Sequence, residues 1–240
     1  MKIVVFSGAG ISQESGVPTF RDSDGLWENH TVEDVASPKG WKDNKKLVLD
    51  FYNERRSQLP NVQPNKAHQL LAELEKHHDV TIVTQNVDDL HERAGSSKVI
   101  HLHGELTKSR GSFYEHKTSS LDPVYEIGYD NINEGDLCSQ TGSQLRPHIV
   151  WFGEMPLDTE EAFTKLAEAD VVLIVGTSLQ ITYTMDALAM IIESTDASFY
   201  YVDPKPSNYL DGFGEVTYIK KSATEGVQDF MDEMLQTSTS

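Results

Sequence analysis

Six short stretches of the chain are almost unbroken runs of apolar residues: 2–6, 80–84, 98–102, 171–175, 199–202 and 216–219. A strand wetted on one face alternates apolar and polar side chains, whereas a strand covered on both faces is free to be apolar throughout. Between several of these runs the period changes from that of a strand to that of a helix. In 67–77 the residues Ala67, Leu70, Leu71 and Leu74 fall on one helical stripe. The stretch 159–169 follows Asp158, a candidate N-cap, and 185–193 and 227–235 are patterned similarly. Strands alternating with helices predict an α/β fold, a Rossmann-like doubly wound parallel sheet.

Two segments break the alternation. Residues 25–64 read as loop and helix without a clear strand, with a strongly helical 45–58. Residues 105–145 are rich in Ser, Thr, Gly and Asp, with scattered aromatics and weak periodicity. The expected organisation is a sheet-bearing domain of residues 1–24, 65–104 and 146–240, with a smaller inserted lobe made of 25–64 and 105–145. The tail 237–240 reads as frayed.

Charge and cysteine usage narrow the function. Twenty basic against 38 acidic residues give a net charge of −18, the wrong sign for a nucleic-acid partner. It also repels acidic substrates in general, so any anion site must be a local exception. No run approaches the ~18 consecutive apolar residues of a membrane span. The opening apolar run 3–6 is too short for a secretory signal core, so the expected location is cytoplasmic. A single cysteine, Cys138, excludes an internal disulfide framework and every zinc site needing two or more thiolates.

The first strand runs straight into Gly8-Ala9-Gly10-Ile11-Ser12, with Gly16 beyond. Glycines after a strand let backbone N–H groups approach a diphosphate, although such turns also occur for purely structural reasons and the spacing is not GxGxxG. Thr19-Phe20-Arg21 follows: Arg21 is within reach of the same phosphates and Phe20 is able to cover a ring, the alternative being a surface Arg and a core Phe.

These stretches, together with Gly16-Val17-Pro18-Thr19-Phe20-Arg21, Thr84-Gln85-Asn86-Val87-Asp88-Asp89-Leu90-His91, His101-Leu102-His103-Gly104 and Gly176-Thr177-Ser178, resemble the signature of the sirtuin (Sir2) family, in its order and over nearly the whole chain. Phe51-Tyr52-Asn53-Glu54-Arg55-Arg56 and Arg146-Pro147-His148-Ile149-Val150-Trp151-Phe152-Gly153-Glu154 resemble the bacterial class III-like members that remove succinyl, malonyl and acetyl groups. The resemblance implies an NAD-dependent protein-lysine deacylase that yields nicotinamide, O-acyl-ADP-ribose and free lysine. Its partners would be acyl-lysine proteins or peptides, without nucleic acid or membrane.

Residue by residue, the resemblance implies that Gly8, Ala9, Gly10, Ile11, Phe20 and Arg21 bind the cofactor, with Gln85, Asn86 and Asp88 behind them. Asn86 orients ribose and water, and Asp88 contacts the nicotinamide amide. Read alone, Gln-Asn-x-Asp is equally a turn with helix caps. His103 is the expected general base, since an imidazole of near-neutral pKa accepts a ribose hydroxyl proton; His101, two residues earlier, is expected to be a packing or capping residue. Gly176, Thr177 and Ser178 are placed to hold ribose and phosphate, and Asp203 to meet ribose hydroxyls where the family usually has Asn. Ala223 falls where adenine-contacting backbone lies. Val150, Phe152 and Gly153 resemble the segment that pairs with substrate peptide as an added strand.

Tyr52 and Arg55 stand at i and i+3 on a helix, hence on one face, and suit a clamp for an acyl carboxylate; Ala36 is the small residue that leaves room for the chain. The alternative is that Tyr52 packs in the small lobe and Arg55 pairs with Glu54 or Asp50. Two features depart from the family. Most members carry four zinc-binding cysteines in the small lobe, whereas Arg110-Gly111-Ser112 stands where the first is expected and only Cys138 remains, so no zinc is expected; Cys138, His116 and His148 match no zinc spacing. The lobe is then expected to be held by packing, through Phe113, Tyr114, Tyr125 and Tyr129. Ile181-Thr182-Tyr183-Thr184 replaces the usual Tyr-Pro pair, with no functional account from sequence. The competing readings are an NAD glycohydrolase or ADP-ribosyltransferase using the same pocket, a non-catalytic NAD- or peptide-binding module, and a dehydrogenase, which lacks its GxGxxG.

Overall fold

The computed structural model describes residues 1–18, 26–27, 30–112 and 123–237. In chain order the elements are β1 (Lys2–Ser7), α1 (Gly10–Gln13), β2 (Leu26–Trp27), β3 (His30–Thr31), α2 (Val32–Val35), α3 (Pro38–Asp43), α4 (Lys45–Gln58), α5 (Lys66–Leu74), β4 (Asp79–Thr84), α6 (Leu90–Ala94), β5 (Val99–His101), β6 (Gly104–Gly111), β7 (Val124–Glu126), β8 (Leu145–Ile149), α7 (Thr159–Ala167), β9 (Val171–Val175), α8 (Thr182–Ser194), β10 (Ser198–Val202), β11 (Val216–Ile219) and α9 (Ala223–Thr237).

Among the described residues, the six apolar runs form one sheet of order β11-β10-β9-β1-β4-β5, with every pairing parallel. Alternate side chains of a strand serve opposite faces. Ile3 and Val5 of β1 join Leu173 and Val175 of β9 in a cluster with Leu70, Leu71 and Leu74 of α5 and Phe230 and Met234 of α9. Val4 and Phe6 join Val172 and Ile174 in a second cluster with Leu166 of α7 and Leu188, Ile191 and Ile192 of α8. All five residues of β9 are buried. Covered on both faces, each such aliphatic side chain contributes about 1.5–3 kcal/mol, which is why these strands carry no alternation. The class predicted from the runs, α/β and doubly wound, is the one observed.

The chain leaves β1 for β4 on one side and returns to β9 on the other. The carboxyl ends of β1, β4 and β9 therefore diverge at a switch point, the place where open α/β sheets hold ligands.

The two segments that broke the alternation pack together. Residues 105–145, read as lacking clear periodicity, contribute to a three-stranded antiparallel sheet β7-β6-β8. Its strands were hard to see because the buried positions of β6 include Ser109 and Arg110 rather than aliphatics. Within 25–64 the structure adds a short β2–β3 hairpin that the sequence did not announce. Three helices follow, each opened by a side-chain cap: Thr31 to the N–H of Asp34, Ser37 to Gly40 and Asn44 to Leu47. The small-lobe core joins Val35, Trp41, Leu49, Phe51 and Tyr52 to Leu106, Ile149 and Trp151. Asp158 does stand before α7, but with φ of 48° and no side-chain capping bond, so its expected role as a cap is not realised. No helix among the described residues is long and apolar enough to cross a membrane.

Candidate functional site

The loops after β1 and β9 touch through bare backbone. The N–H of Gly8 donates to the Val175 carbonyl at 3.1 Å and that of Gly10 to the Gly176 carbonyl at 2.7 Å. Gly176 has φ of +63°, and a Cβ there would run into the Ile11 amide nitrogen. Only glycine combines that backbone conformation with that approach. Ala9 and the buried Ile11 complete the turn into α1. The start of α9 is tied to the same loop, since Thr224 donates its N–H and hydroxyl to the Glu14 carboxylate at 2.9 and 2.7 Å, fixing Ala223 beside it. Thr19, Phe20 and Arg21 lie outside the described residues.

Beside this turn sits a buried polar cluster. The Ser12 hydroxyl donates to Asp88 Oδ2 at 3.0 Å and accepts from Asn86 Nδ2 at 3.2 Å, while Asp88 Oδ1 accepts the Leu90 N–H at 3.1 Å. Burial raises the Asp88 pKa above the usual carboxylate range, although the Leu90 and Ser12 hydrogen bonds oppose the shift. Gln85 reaches across to β9, accepting the Thr177 hydroxyl at 3.0 Å. Ser178, partly exposed, follows Thr177 at the end of β9. Asp203 is buried at the end of β10 and its Oδ1 accepts the Lys205 N–H at 2.8 Å. A side-chain-free backbone junction next to convergent, desolvated amide and carboxyl groups fits an extended dinucleotide such as NAD.

His103 stands just beyond β5, between the large sheet and β6. Its Nδ1 lies 3.0 Å from the Gln85 carbonyl, its own carbonyl accepts the Val150 N–H at 2.9 Å, and its Nε2 lies 2.7 Å from the Tyr183 hydroxyl. Burial pushes the His103 pKa below its ordinary value, against the opposing pull of the Gln85 carbonyl. Gly104, with φ of +81°, turns the chain here, and a Cβ on it would strike the His148 carbonyl oxygen. His101 is buried, as expected of a packing residue, and bonds to the Asn86 carbonyl and to Glu92. Tyr183 is a site residue that sequence reasoning missed. The only signal was that 181–184 departs from the family pattern, and eighty residues separate it from its partner.

A narrow, partly open cleft of about 60 Å³ lies beside Asp88. Tyr52, Arg55, Gln58, Val62, Val87 and Leu106 line it, with Gly16, Val17 and Pro18 on the side of the first loop. Arg55 is buried, with Nη1 donating to the Phe51 carbonyl at 2.7 Å and the guanidinium carbon 3.2 Å from the Phe51 ring centroid. Tyr52 is enclosed in the small-lobe core, where burial drives its pKa far up; the packing reading of Tyr52 and its position on the cleft wall both describe it. Ala36 sits in the same core, and its carbonyl accepts the Phe152 N–H at 3.0 Å.

Residues 150–154 form an irregular turn in which Phe152 is exposed and Gly153 has φ of +91°. The turn is anchored from below by Glu154, whose side chain is fully enclosed. Arg146 Nη1 reaches its Oε1 at 2.7 Å, and Arg110 Nη2 its Oε2 at 3.1 Å. Burial alone would raise the Glu154 pKa, but the bond to Arg146 and the charges of both guanidiniums hold it below the usual range. Arg110–Ser112, where the family has its first cysteine, lies beside Cys138: a Cβ on Gly111 would sit 3.3 Å from Cys138 Sγ. Tyr125 bonds to Cys138 and Ser139 and Tyr129 to Asp89. Phe113, Tyr114 and His116 lie outside the described residues. Tyr125 and Tyr129 lie outside the small-lobe core and Tyr129 is exposed, so the packing expected of them is not what the described residues show; Trp41, Trp151 and the buried Arg110–Glu154–Arg146 cluster, which the sequence did not announce, fasten the lobe.

The geometry can be set against known proteins. The chain is 52% identical over 237 residues to an NAD-dependent protein deacylase of Helicobacter pylori, covering 98% of this chain and 97% of that one. It is 46% identical over 231 residues to an NAD-dependent protein deacylase of Bacteroides thetaiotaomicron, covering 95% of each. The crystal structure of a Sir2 homolog–NAD complex superposes with a TM-score of 0.82 at 34% identity, covering 98% of this chain and 90% of that chain. The Sir2 family model matches residues 8–183, which run from the glycine turn through the tyrosine beside His103. On fold, on sequence and on the order of its crevice loops, the chain belongs to the Sir2 family.

Proposed function

We propose that this NAD-dependent protein deacylase acts on lysines carrying short acidic acyl groups, succinyl and malonyl, and on acetyl-lysine as well. The observation that carries the acyl preference is one juxtaposition: Arg55 and Tyr52 line the same cleft as Val87 and Asp88. In a chain of net charge −18, a buried guanidinium next to the reaction crevice is a local attraction for a carboxylate. An acetyl group forgoes that contact and keeps the rest of the site.

The roles proposed for the chain's residues follow from their chemistry. The glycine turn of Gly8–Ile11 and the loop of Gly176–Ser178 hold the phosphates and ribose, and Asn86 orients the reacting face. Asp88, with its raised proton affinity, meets a carboxamide. When bound, NAD supplies the anomeric carbon that the acyl oxygen attacks as nicotinamide leaves. His103, whose neutral form its desolvation favours, takes a proton at Nε2 from a ribose hydroxyl. Ala36 leaves room for the longer acyl chain, and 150–154 border the path of the substrate peptide.

A panel of acetyl, malonyl, succinyl and glutaryl peptides, with and without NAD, tests the reading, with O-acyl-ADP-ribose followed by mass spectrometry. Succinyl and malonyl peptides are expected to turn over with the higher kcat/KM and to yield the acylated product. Turnover confined to acetyl peptides would overturn the acyl preference. NAD loss without acylated product would point instead to a glycohydrolase.

A further inference from the structure

For a neutral imidazole, the contact between Tyr183 and His103 has one consistent arrangement of protons. A backbone carbonyl only accepts, so the Gln85 oxygen at 3.0 Å requires that Nδ1 of His103 carry the ring hydrogen. A neutral imidazole then keeps its lone pair on Nε2, and the hydroxyl of Tyr183, 2.7 Å away, is the donor. Both groups are held neutral by desolvation, which lowers the proton affinity of the imidazole and raises that of the phenol. The rings meet edge to face, 6.3 Å between centroids at 75°.

That lone pair is the one a general base must offer. An imidazole nitrogen has a single in-plane lone pair, so a ribose hydroxyl and the phenol compete for the same acceptor. We propose that Tyr183 competes with the dinucleotide for the base: it occupies the acceptor Nε2 of His103 in the free protein and is displaced from it by the ribose hydroxyl of the dinucleotide. The proposal rests on the reading of His103 as the base. Its setting allows the exchange. Tyr183 is only partly buried, so its hydroxyl can recover a partner from water. It belongs to the first turn of α8, which has no side-chain cap at Ile181, and Leu179 just before it has φ of +50°, a strained conformation for a branched side chain.

The stretch 181–184 is also where this chain departs from its family, which usually has a Tyr-Pro pair there; no proline is present here. Here the dinucleotide must break a hydrogen bond before the base is available to it.

The test is a double-mutant cycle on NAD affinity by calorimetry, using the wild-type chain, Tyr183→Phe, His103→Ala and the double variant, with kcat and KM on an acyl peptide for the first three. Tyr183→Phe is expected to bind NAD about two- to tenfold more tightly, the worth of one net hydrogen bond. KM for NAD should carry the change rather than kcat. In the His103→Ala background the same substitution should leave the affinity where it is. Unchanged or weaker binding by Tyr183→Phe overturns the proposal, as does equal tightening without His103 or an effect carried by kcat. Substantial turnover by His103→Ala sinks the base reading itself, an outcome read independently of the affinity cycle.

Discussion

His101 and His103 stand one residue apart and are wired for opposite protonation. His101 faces two acceptors, the Asn86 carbonyl at 2.9 Å and the Glu92 carboxylate at 2.7 Å, so both ring nitrogens donate. Burial opposes its charge, yet Glu92 outweighs burial and raises its pKa. His103 faces one obligate acceptor, the Gln85 carbonyl, and a hydroxyl able to donate, that of Tyr183, so its neutral form keeps Nε2 as acceptor. One imidazole is favoured in its charged form, tied to the loop after β4, and the other is favoured neutral and poised to take a proton.

The pH dependence follows from that difference. His103 serves as a base only when neutral, and burial places its pKa below the ordinary value of about 6.5. The acid limb of kcat/KM should therefore fall as pH drops through a midpoint below about 6.5. Its folded-state pKa being depressed, the unfolded chain binds the proton more readily, so the same residue costs stability as pH falls below that value. A kcat/KM profile measured from about pH 5 to 9 checks this; a midpoint above 7 would contradict the assignment.

Arg55→Met should separate the acyl groups. A hydrogen bond to a charged group is worth about 1.5–3 kcal/mol, so desuccinylation should lose roughly ten- to hundredfold in kcat/KM. Deacetylation should lose much less, because an acetyl group has no carboxylate to meet. Equal losses on acetyl and succinyl peptides would remove the clamp and leave Arg55 as a structural partner of Phe51.

Glu154→Gln should unfold the small lobe's base. It leaves Arg110 and Arg146 as buried charges without their carboxylate, a change that costs about 3–5 kcal/mol in comparable pairs. Since the folded-state pKa of Glu154 is depressed, its stabilisation is present above the unfolded value of about 4.3 and is lost as pH falls through the folded one. Urea unfolding at neutral and acid pH measures both effects. A loss below about 1 kcal/mol at neutral pH would show that the pair is replaceable.

Gly176→Ala should impair NAD binding with little effect on the peptide side of the cleft. Its Cβ would force the loop after β9 away from Ile11 and Gly10, at a backbone angle that costs a non-glycine residue about 1–2 kcal/mol. Calorimetry with NAD and with an acyl peptide should show loss of the first alone; undiminished NAD binding would mean that the loop contact is dispensable.

The parallel sheet and the sequence positions of the crevice loops were legible from the residues alone. Buried strands of a doubly wound sheet are apolar on both faces, and that pattern is written locally, as are the glycine turn and the run Gln85-Asn86-x-Asp88. What stayed hidden is of another kind. The strands of the antiparallel lobe bury Ser109 and Arg110 instead of aliphatics, and Arg110 is tolerable there only because Glu154, 44 residues away, supplies the opposite charge. Tyr183 meets His103 only because α8 and the end of β5 converge above the sheet's carboxyl edge. Local periodicity reports which face of an element is covered; it does not report which distant polar group completes a buried charge or holds a ring nitrogen, because a polar partner has no period. Sequence therefore determined the scaffold and the order of its loops, and tertiary packing decided how the lobe is fastened and which hydroxyl rests on the base.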